Sequence, residues 1–269
     1  MLHHKRVESV ANATLGVLQG ASLAVSAIGQ GLALAQGKSC KHAIKQVDRL
    51  FSNRGLDVNH LFASWVPFIV AERTEVVLAL DWTDYDADDQ STLVLSIVTS
   101  HGRSTPLLWK TVRKSQLAKR RNAVEDALLL RLRQVIPESV RVTILCDRGF
   151  ADRKLYEYLK TELGFDYIVR FRSGITVADA SGQSRPAKEW IPRTPRALML
   201  RGARVTKEAY PVGAVVLLHD RDMQDAWCLA TSRTDLSARQ IAELYGKRFT
   251  TEETFRDQKD LRFGMGLNQ

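Results

Sequence analysis

The stretch LYGKRFTTEETFRDQKDLRFG, residues 244–264, sets Tyr245, Arg248, Glu252 and Lys259 at offsets of 0, 3, 7 and 14. On an α-helix turning about 100° per residue these fall near 0°, −60°, −20° and −40°, an arc of about 60°. One face then carries a phenol, a guanidinium, a carboxylate and an ammonium. Most charged helix faces are solvated surfaces held by weak ion pairs. The chemical alternative is a metal-holding carboxylate flanked by groups that grip phosphate. Arg does so through two parallel N–H bonds, Lys as a point charge and Tyr as a neutral donor. Arg256 falls at about +20° on the same face, where a solvent-facing role is an equal alternative.

Two further acids bear on the choice. Asp81 ends the run EVVLALD and Asp147 ends VRVTILCD. Alone, each reads as a turn or cap residue, and Asp84 in DWTDYDADD rivals Asp81. Together with Glu252 they form a set of hard oxygen donors. Such a set suits two Mg²⁺ ions, with Mn²⁺ as a substitute, that activate an attacking oxygen and stabilise a leaving one at phosphorus.

The elements that must position these acids follow from periodicity. Residues 1–70 read as a small helical N-terminal module with basic edges, a candidate for DNA binding. In KHAIKQVDRLFSNRGLD, Ile44, Val47, Leu50 and Phe51 share one face and Asn53 to Gly55 forms a stop. Residues 71–172 then change period. EVVLALDW, STLVLSIVTS and TPLLWKTV are three strands of a meander, SQLAKRRNAVEDALLLRLRQV (115–135) is a helix, and VRVTILCD is a fourth strand. DRKLYEYLKTEL is a second helix and DYIVRFR a fifth strand. The order β-β-β-α-β-α-β predicts an α/β fold, a mixed five-stranded sheet of ribonuclease H-like order with flanking helices, in which the first and fourth strands are neighbours. Residues 173–235 are rich in Gly and Pro around short apolar runs and read as a mostly β insertion. Residues 236–269 open a helix near Ser237 that runs through the quoted stretch.

The whole chain has 269 residues, 45% of them hydrophobic, and a formal net charge of +9. A chain this basic suits a polyanionic partner, most often nucleic acid. Its three cysteines, Cys40, Cys146 and Cys228, and its six histidines show no disulfide or zinc spacing, which points to a reducing compartment. Between Glu8 and Lys38 there is no charge, yet glutamines, serines and glycines interrupt the apolar residues. Leu15, Leu18, Val25, Ile28 and Leu32 have helical spacing, so amphipathic helices are expected there and no membrane span.

Residues 245–259 match Y-x-x-R-x-x-x-E-x-x-x-x-x-x-K at every defined position. The chain therefore resembles the DDE transposases of the insertion-sequence-four family of bacterial mobile elements. LALDWTDY resembles that family's first-aspartate segment, VTILCDRGFAD its second, and residues 173–235 its insertion; the resemblance spans roughly residues 40–264. It implies that Asp81, Asp147 and Glu252 are catalytic metal ligands for Mg²⁺. It implies that Tyr245, Arg248 and Lys259 contact phosphates of the transposon end. The implied activity is phosphodiester hydrolysis at the element's ends and strand transfer into target DNA, by cut-and-paste through a hairpin intermediate. Double-stranded DNA and a second protomer, in a synaptic homodimer, are the implied partners, in the bacterial cytoplasm at the nucleoid.

Weaker DNA-facing candidates are the run Arg113, Lys114, Lys119, Arg120 and Arg121, which suits phosphate tracking or a solvated face equally. Trp227 suits stacking on an unpaired base or, more ordinarily, core packing. Trp82, Trp109 and Cys146 read as core. The sequence ends at Gln269, ten residues beyond Lys259, whereas family members continue into further helices. Two alternatives therefore stand beside an active transposase: a truncated, non-catalytic DNA-binding remnant, and another ribonuclease H-like nuclease.

Overall fold

The computed structural model describes residues 3–194, 196–221 and 223–265. Four helices come first: α1 (His4–Gly20), α2 (Val25–Gln36), α3 (Cys40–Phe51) and α4 (Val58–Val70). The glycines that interrupt the uncharged segment let α1, α2 and α3 touch backbone to backbone. A Cβ on Gly31 would collide with the Gly16 carbonyl, and one on Gly29 with the Ile44 backbone. Ala13, Ile28, Leu32, Ala43, Val47 and Leu50 form a small separate core beneath them. Among the described residues no single helix is long and apolar enough to cross a membrane, and α1 and α2 meet at a 92° bend.

The meander follows as β1 (Glu75–Tyr85), β2 (Gln90–Ile97) and β3 (Thr105–Arg113), then α5 (Arg121–Val135), β4 (Arg141–Cys146), α6 (Arg153–Glu157) and β5 (Asp166–Arg170). The predicted order of elements is present. β1 lies antiparallel to β2 and parallel to β4, and β4 is parallel to β5. The basic run, however, is split: Arg113 ends β3, Lys114–Gln116 form a short 3-10 turn, Leu117 is buried, Lys119 sits at φ 59°, and α5 starts only at Arg121. α6 loosens into a π-helical turn over Tyr158–Glu162.

Next come β6 (Thr176–Ala178), β7 (Ser184–Pro186), β8 (Leu198–Arg201), β9 (Arg204–Val205), β10 (Tyr210–Pro211), β11 (Ala214–Leu218) and β12 (Trp227–Thr231). They correct the five-stranded expectation. The main sheet has eight strands in the order β3-β2-β1-β4-β5-β12-β11-β8, and β10-β9-β6-β7 form a second, small sheet. The reason lies in β5. Tyr167, Ile168 and Val169 are apolar on both faces, so as an edge strand β5 would expose a greasy ladder. β12 pairs with it through Ile168, Val169 and Arg170 instead. The stretch 173–235 thus completes the main sheet as well as adding a second one.

The chain ends in α7 (Ala238–Gly246) and α8 (Phe249–Lys259). Ser237 and Gln240 form a reciprocal capping box at the start of α7. The predicted continuous helix is broken at Lys247 and Arg248. There the backbone tightens, Arg248 N–H bonding Tyr245 O at 2.9 Å and Thr251 N–H bonding Arg248 O at 2.9 Å. Gly246, a poor helix former set against Trp227, marks the weak point. Successive strand residues face opposite ways, so the sheet has two cores. Leu78, Leu80, Leu95, Ile144 and Cys146 pack with Leu128, Leu129 and Leu132 of α5 on one face. Ala79, Leu145, Ile168 and Leu229 pack with Ile241 and Tyr245 of α7 on the other.

Candidate active site

Strand register brings the two aspartates together. Ala79 pairs with Leu145 and Leu80 with Cys146 across the parallel β1–β4 ladder, so the next step places Asp81 beside Asp147. By alternation both leave the sheet on the α7 face, as Ala79 and Leu145 do. Asp81 is mostly buried, and its Oδ1 accepts the Trp82 backbone N–H at 3.0 Å. Asp147 lies just past the end of β4, and its Oδ1 accepts the Gly149 N–H at 2.7 Å.

The third acid arrives from α8. Arg248 is only 5% exposed and bridges two carboxylates, its Nη1 donating to Asp81 Oδ2 at 2.7 Å and its Nη2 to Glu252 Oε1 at 2.6 Å. The helix break that sequence reasoning missed is what turns this guanidinium inward. Burial pushes Asp81 up to about 6; Arg248 opposes the rise, while Asp147 and Glu252 add to it. Among the described residues no three His, Cys, Asp or Glu side chains close into a metal cage by themselves. Two of the acids, Asp81 and Glu252, are gathered around a positive charge all the same, and that charge is Arg248. Glu252 is half exposed on the open side.

The rest of the signature row continues from there. Tyr245 is fully buried, with its ring edge-on to Trp227 at 4.9 Å, and its hydroxyl finds no partner among the described residues. Burial pushes that hydroxyl up to about 12, so it remains a neutral phenol. Tyr245 and Arg248 are therefore turned into the protein, while Glu252 and Lys259 face the cleft. Asp81, Trp82, Glu252, Phe255, Arg256 and Lys259 line one cleft of about 450 Å³. Lys259 Nζ sits 5.3 Å from the Tyr85 ring, and Arg256 pairs with Glu253. Asp84, the rival acid, also borders the cleft but is engaged by Lys114 at 2.7 Å and Ser91 at 2.6 Å.

The family model for the transposase DDE domain matches residues 72–268. The chain belongs to the transposase DDE domain family. No curated protein matches it. Among solved structures, Marinitoga piezophila Argonaute in complex with 5′-OH guide RNA and target DNA is 10% identical with a TM-score of 0.25, covering 73% of this chain and 31% of that one. The same Argonaute with guide RNA alone is 11% identical with a TM-score of 0.26, covering 74% and 31%. The chain thus spans less than a third of either.

Other predicted residues of the transposase domain are scattered. Trp227 is half-buried behind the site, between Tyr245 and, at 6.0 Å, Phe249. Lys114 is held by Asp84 and Asp86, at 2.7 and 2.6 Å. Arg113 and Lys119 are exposed. Arg120 borders a separate groove between α4, β3 and α5, and Arg121 lies 4.9 Å over the Trp82 ring. The basic run therefore does not act as one stripe. Trp109 is 38% exposed rather than core, its ring edge meeting Phe62 at 5.0 Å. Cys146 is buried, as its apolar neighbours predict.

Sequence reasoning also missed Glu125. It is a buried acid of α5 whose Oε1 accepts the Trp82 indole N–H at 2.8 Å. The signal was present, because Glu125 stands three and four residues before Leu128 and Leu129, on the apolar stripe of its helix.

The site fits a hard divalent cation. Its donors are carboxylate oxygens, the chemistry Mg²⁺ and Mn²⁺ select. Crowding by Asp147 and Glu252 on a buried Asp81 is the electrostatic situation that a cation relieves.

Proposed function

We propose that this DDE transposase is a metal-dependent DNA transposase of the insertion-sequence-four type. It hydrolyses a phosphodiester at the end of a mobile element and joins the freed 3′-hydroxyl to target DNA by cut-and-paste. The observation that carries the reading is the shared facing of Asp81 and Asp147 on adjacent parallel strands, with Glu252 tied to Asp81 through Arg248. The order β3-β2-β1-β4-β5 within the larger sheet supports a ribonuclease H-like core.

Asp81, Asp147 and Glu252 would hold two Mg²⁺ ions, which when bound supply Lewis acidity and lower the pKa of an attacking water or hydroxyl. The protein's own groups do the rest. Arg256 and Lys259, on the cleft wall beside Glu252, offer cationic donors to the phosphates flanking the cut. Arg248 keeps Glu252 oriented toward Asp81 and, with the Tyr245 hydroxyl behind it, offers further donors once DNA enters. Its Nε has no partner among the described residues. Half-buried Trp227, packed against Tyr245 and Phe249, is the candidate to meet an unstacked base. The 1–70 helical module, the 173–235 insertion and a second protomer are assigned to DNA binding and synapsis in the bacterial cytoplasm.

The test mixes the protein with DNA carrying the element's own ends, with and without Mg²⁺. Asp147→Asn and Glu252→Gln are expected to bind the DNA and leave it uncut. Cleavage by either variant at the wild-type rate refutes the assignment. A pre-cleaved end separates a transposase, which joins it to target, from a nuclease, which does not.

A further inference from the structure

Trp82 follows Asp81 in β1; it borders the cleft and packs against the core on the α5 face. Three contacts fix it there. Its indole N–H donates to Glu125 Oε1 at 2.8 Å, the Arg121 guanidinium covers its ring at 4.9 Å, and its backbone N–H donates to Asp81 Oδ1 at 3.0 Å. Glu125 is only 8% exposed. A carboxylate buried on an apolar helix stripe is costly, and packing alone favours leucine there. An ionised acceptor does offer the indole a shorter and stronger bond than a neutral one, and Arg121, over the Trp82 ring, supplies a compensating charge.

We propose that Glu125 is a positioning residue for Asp81. By gripping Trp82 from the α5 face it fixes the end of β1, so that the Asp81 carboxylate stays turned toward Arg248 and Glu252 on the far face. Among the described residues Glu125 makes its hydrogen bond to Trp82 and none to Asp81, Asp147 or Glu252. It acts through one side chain and one backbone N–H, across the thickness of the sheet. The inference rests on the metal-site reading above, and it names the residue that makes that site rigid.

Mn²⁺ binding to the full chain, followed by the paramagnetic resonance of the free ion, tests it without DNA or turnover. Glu125→Leu is expected to weaken binding about tenfold, the usual cost of losing an outer partner of a metal ligand. Trp82→Phe keeps the ring, loses the N–H, and should cost about the same. The double variant should be no worse than either single change, since both remove one bond. Glu125→Gln keeps an acceptor for the indole and should stay near wild type. A Glu125 that only stabilised the fold would lower the melting temperature of these variants and leave the Mn²⁺ affinity of the folded protein unmoved. Additive losses, an unaffected Trp82→Phe, or a Glu125→Gln as weak as Glu125→Leu overturn the proposal. Asp81→Asn separates the two levels. If it binds Mn²⁺ like wild type, the site itself is wrong and the proposal falls with it. If it loses binding while Trp82→Phe and Glu125→Leu keep it, only the positioning role is wrong.

Discussion

Asp81→Asn should stabilise the metal-free protein. Asp81 lies between Asp147 and Glu252, largely out of water, and burial together with those two charges moves it from 3.8 to about 6 against the pull of Arg248. At about 1.36 kcal/mol for each tenfold change in a protonation equilibrium, holding this carboxylate ionised in the folded state costs on the order of 3 kcal/mol. Asparagine has the same shape but a single acceptor oxygen, so it keeps either the Arg248 Nη1 bond or the Trp82 N–H bond; the lost one, about 1 kcal/mol, is set against the relief of charge.

The sign follows from linkage. An acid whose folded-state value is raised binds its proton more tightly when folded. The wild-type penalty is therefore complete above about 6, shrinks as pH falls through that value, and is gone below 3.8. Urea denaturation in chelator at pH 7.5 and pH 4.5 reads this directly. At pH 7.5 Asp81→Asn should be more stable by about 1–2 kcal/mol, on the order of 2–8 °C in melting temperature for a domain of this size. At pH 4.5 most of the advantage should vanish. Adding Mn²⁺ should stabilise wild type and not the variant, since ligand binding adds to stability only in the chain that binds. A variant less stable than wild type at pH 7.5, or an advantage that does not narrow in acid, refutes the reasoning.

Other consequences are testable in the same way. Arg248→Met leaves Asp81 and Glu252 without their shared counter-charge; with Glu252 half exposed, the cost should be about 2–3 kcal/mol by urea denaturation, below the ~3–5 of a fully buried broken pair. Arg248→Lys should recover little of it, because one ammonium does not reproduce the bridge made by two guanidinium nitrogens. Asp166 is held below its ordinary value despite burial, by bonds from Lys160, Ser232 and Arg141. Its contribution is complete above the unfolded value near 3.9 and is lost as pH falls through the lower folded value. Asp166→Asn should accordingly lower the melting temperature at pH 7, and its deficit should narrow below about pH 4.

The parts of this molecule legible in its sequence are those fixed by local periodicity. β1 and β4 announce themselves as continuous apolar runs, and their parallel pairing follows from the helix that must cross between them. Once Asp81 and Asp147 are known to end those strands, the parity of two residues per repeat puts both on one face with no further information. The row Tyr245–Lys259 was equally visible as a spacing. What the spacing could not reveal was the break at Lys247 and Arg248, because that break is tertiary. Arg248 turns inward because a buried Asp81 lies beneath it, and a helical wheel holds no record of what lies beneath. The eighth, seventh and sixth strands of the sheet were hidden for a related reason. Runs as short as AWCLATS carry no label saying whether they build their own sheet or finish another.

Glu125 shows how such a gap can be narrowed. An acid on the apolar stripe of a helix is a local contradiction, and natural sequences keep such contradictions chiefly where function uses them. Asp81, Glu125 and Arg248 are all of this kind: charged groups spent inside the protein where apolar ones would be more stable. Two of them flank a single strand end from opposite faces, and the third reaches that end from α8. The fold therefore concentrates its least favourable electrostatics at the carboxyl end of β1, while α5 and the eight-stranded sheet supply apolar packing on both sides. Removing any one of these charges should ease or worsen stability in the direction its neighbours dictate, whereas uncharged replacements of equal shape elsewhere along β1 should not couple to Mn²⁺ at all.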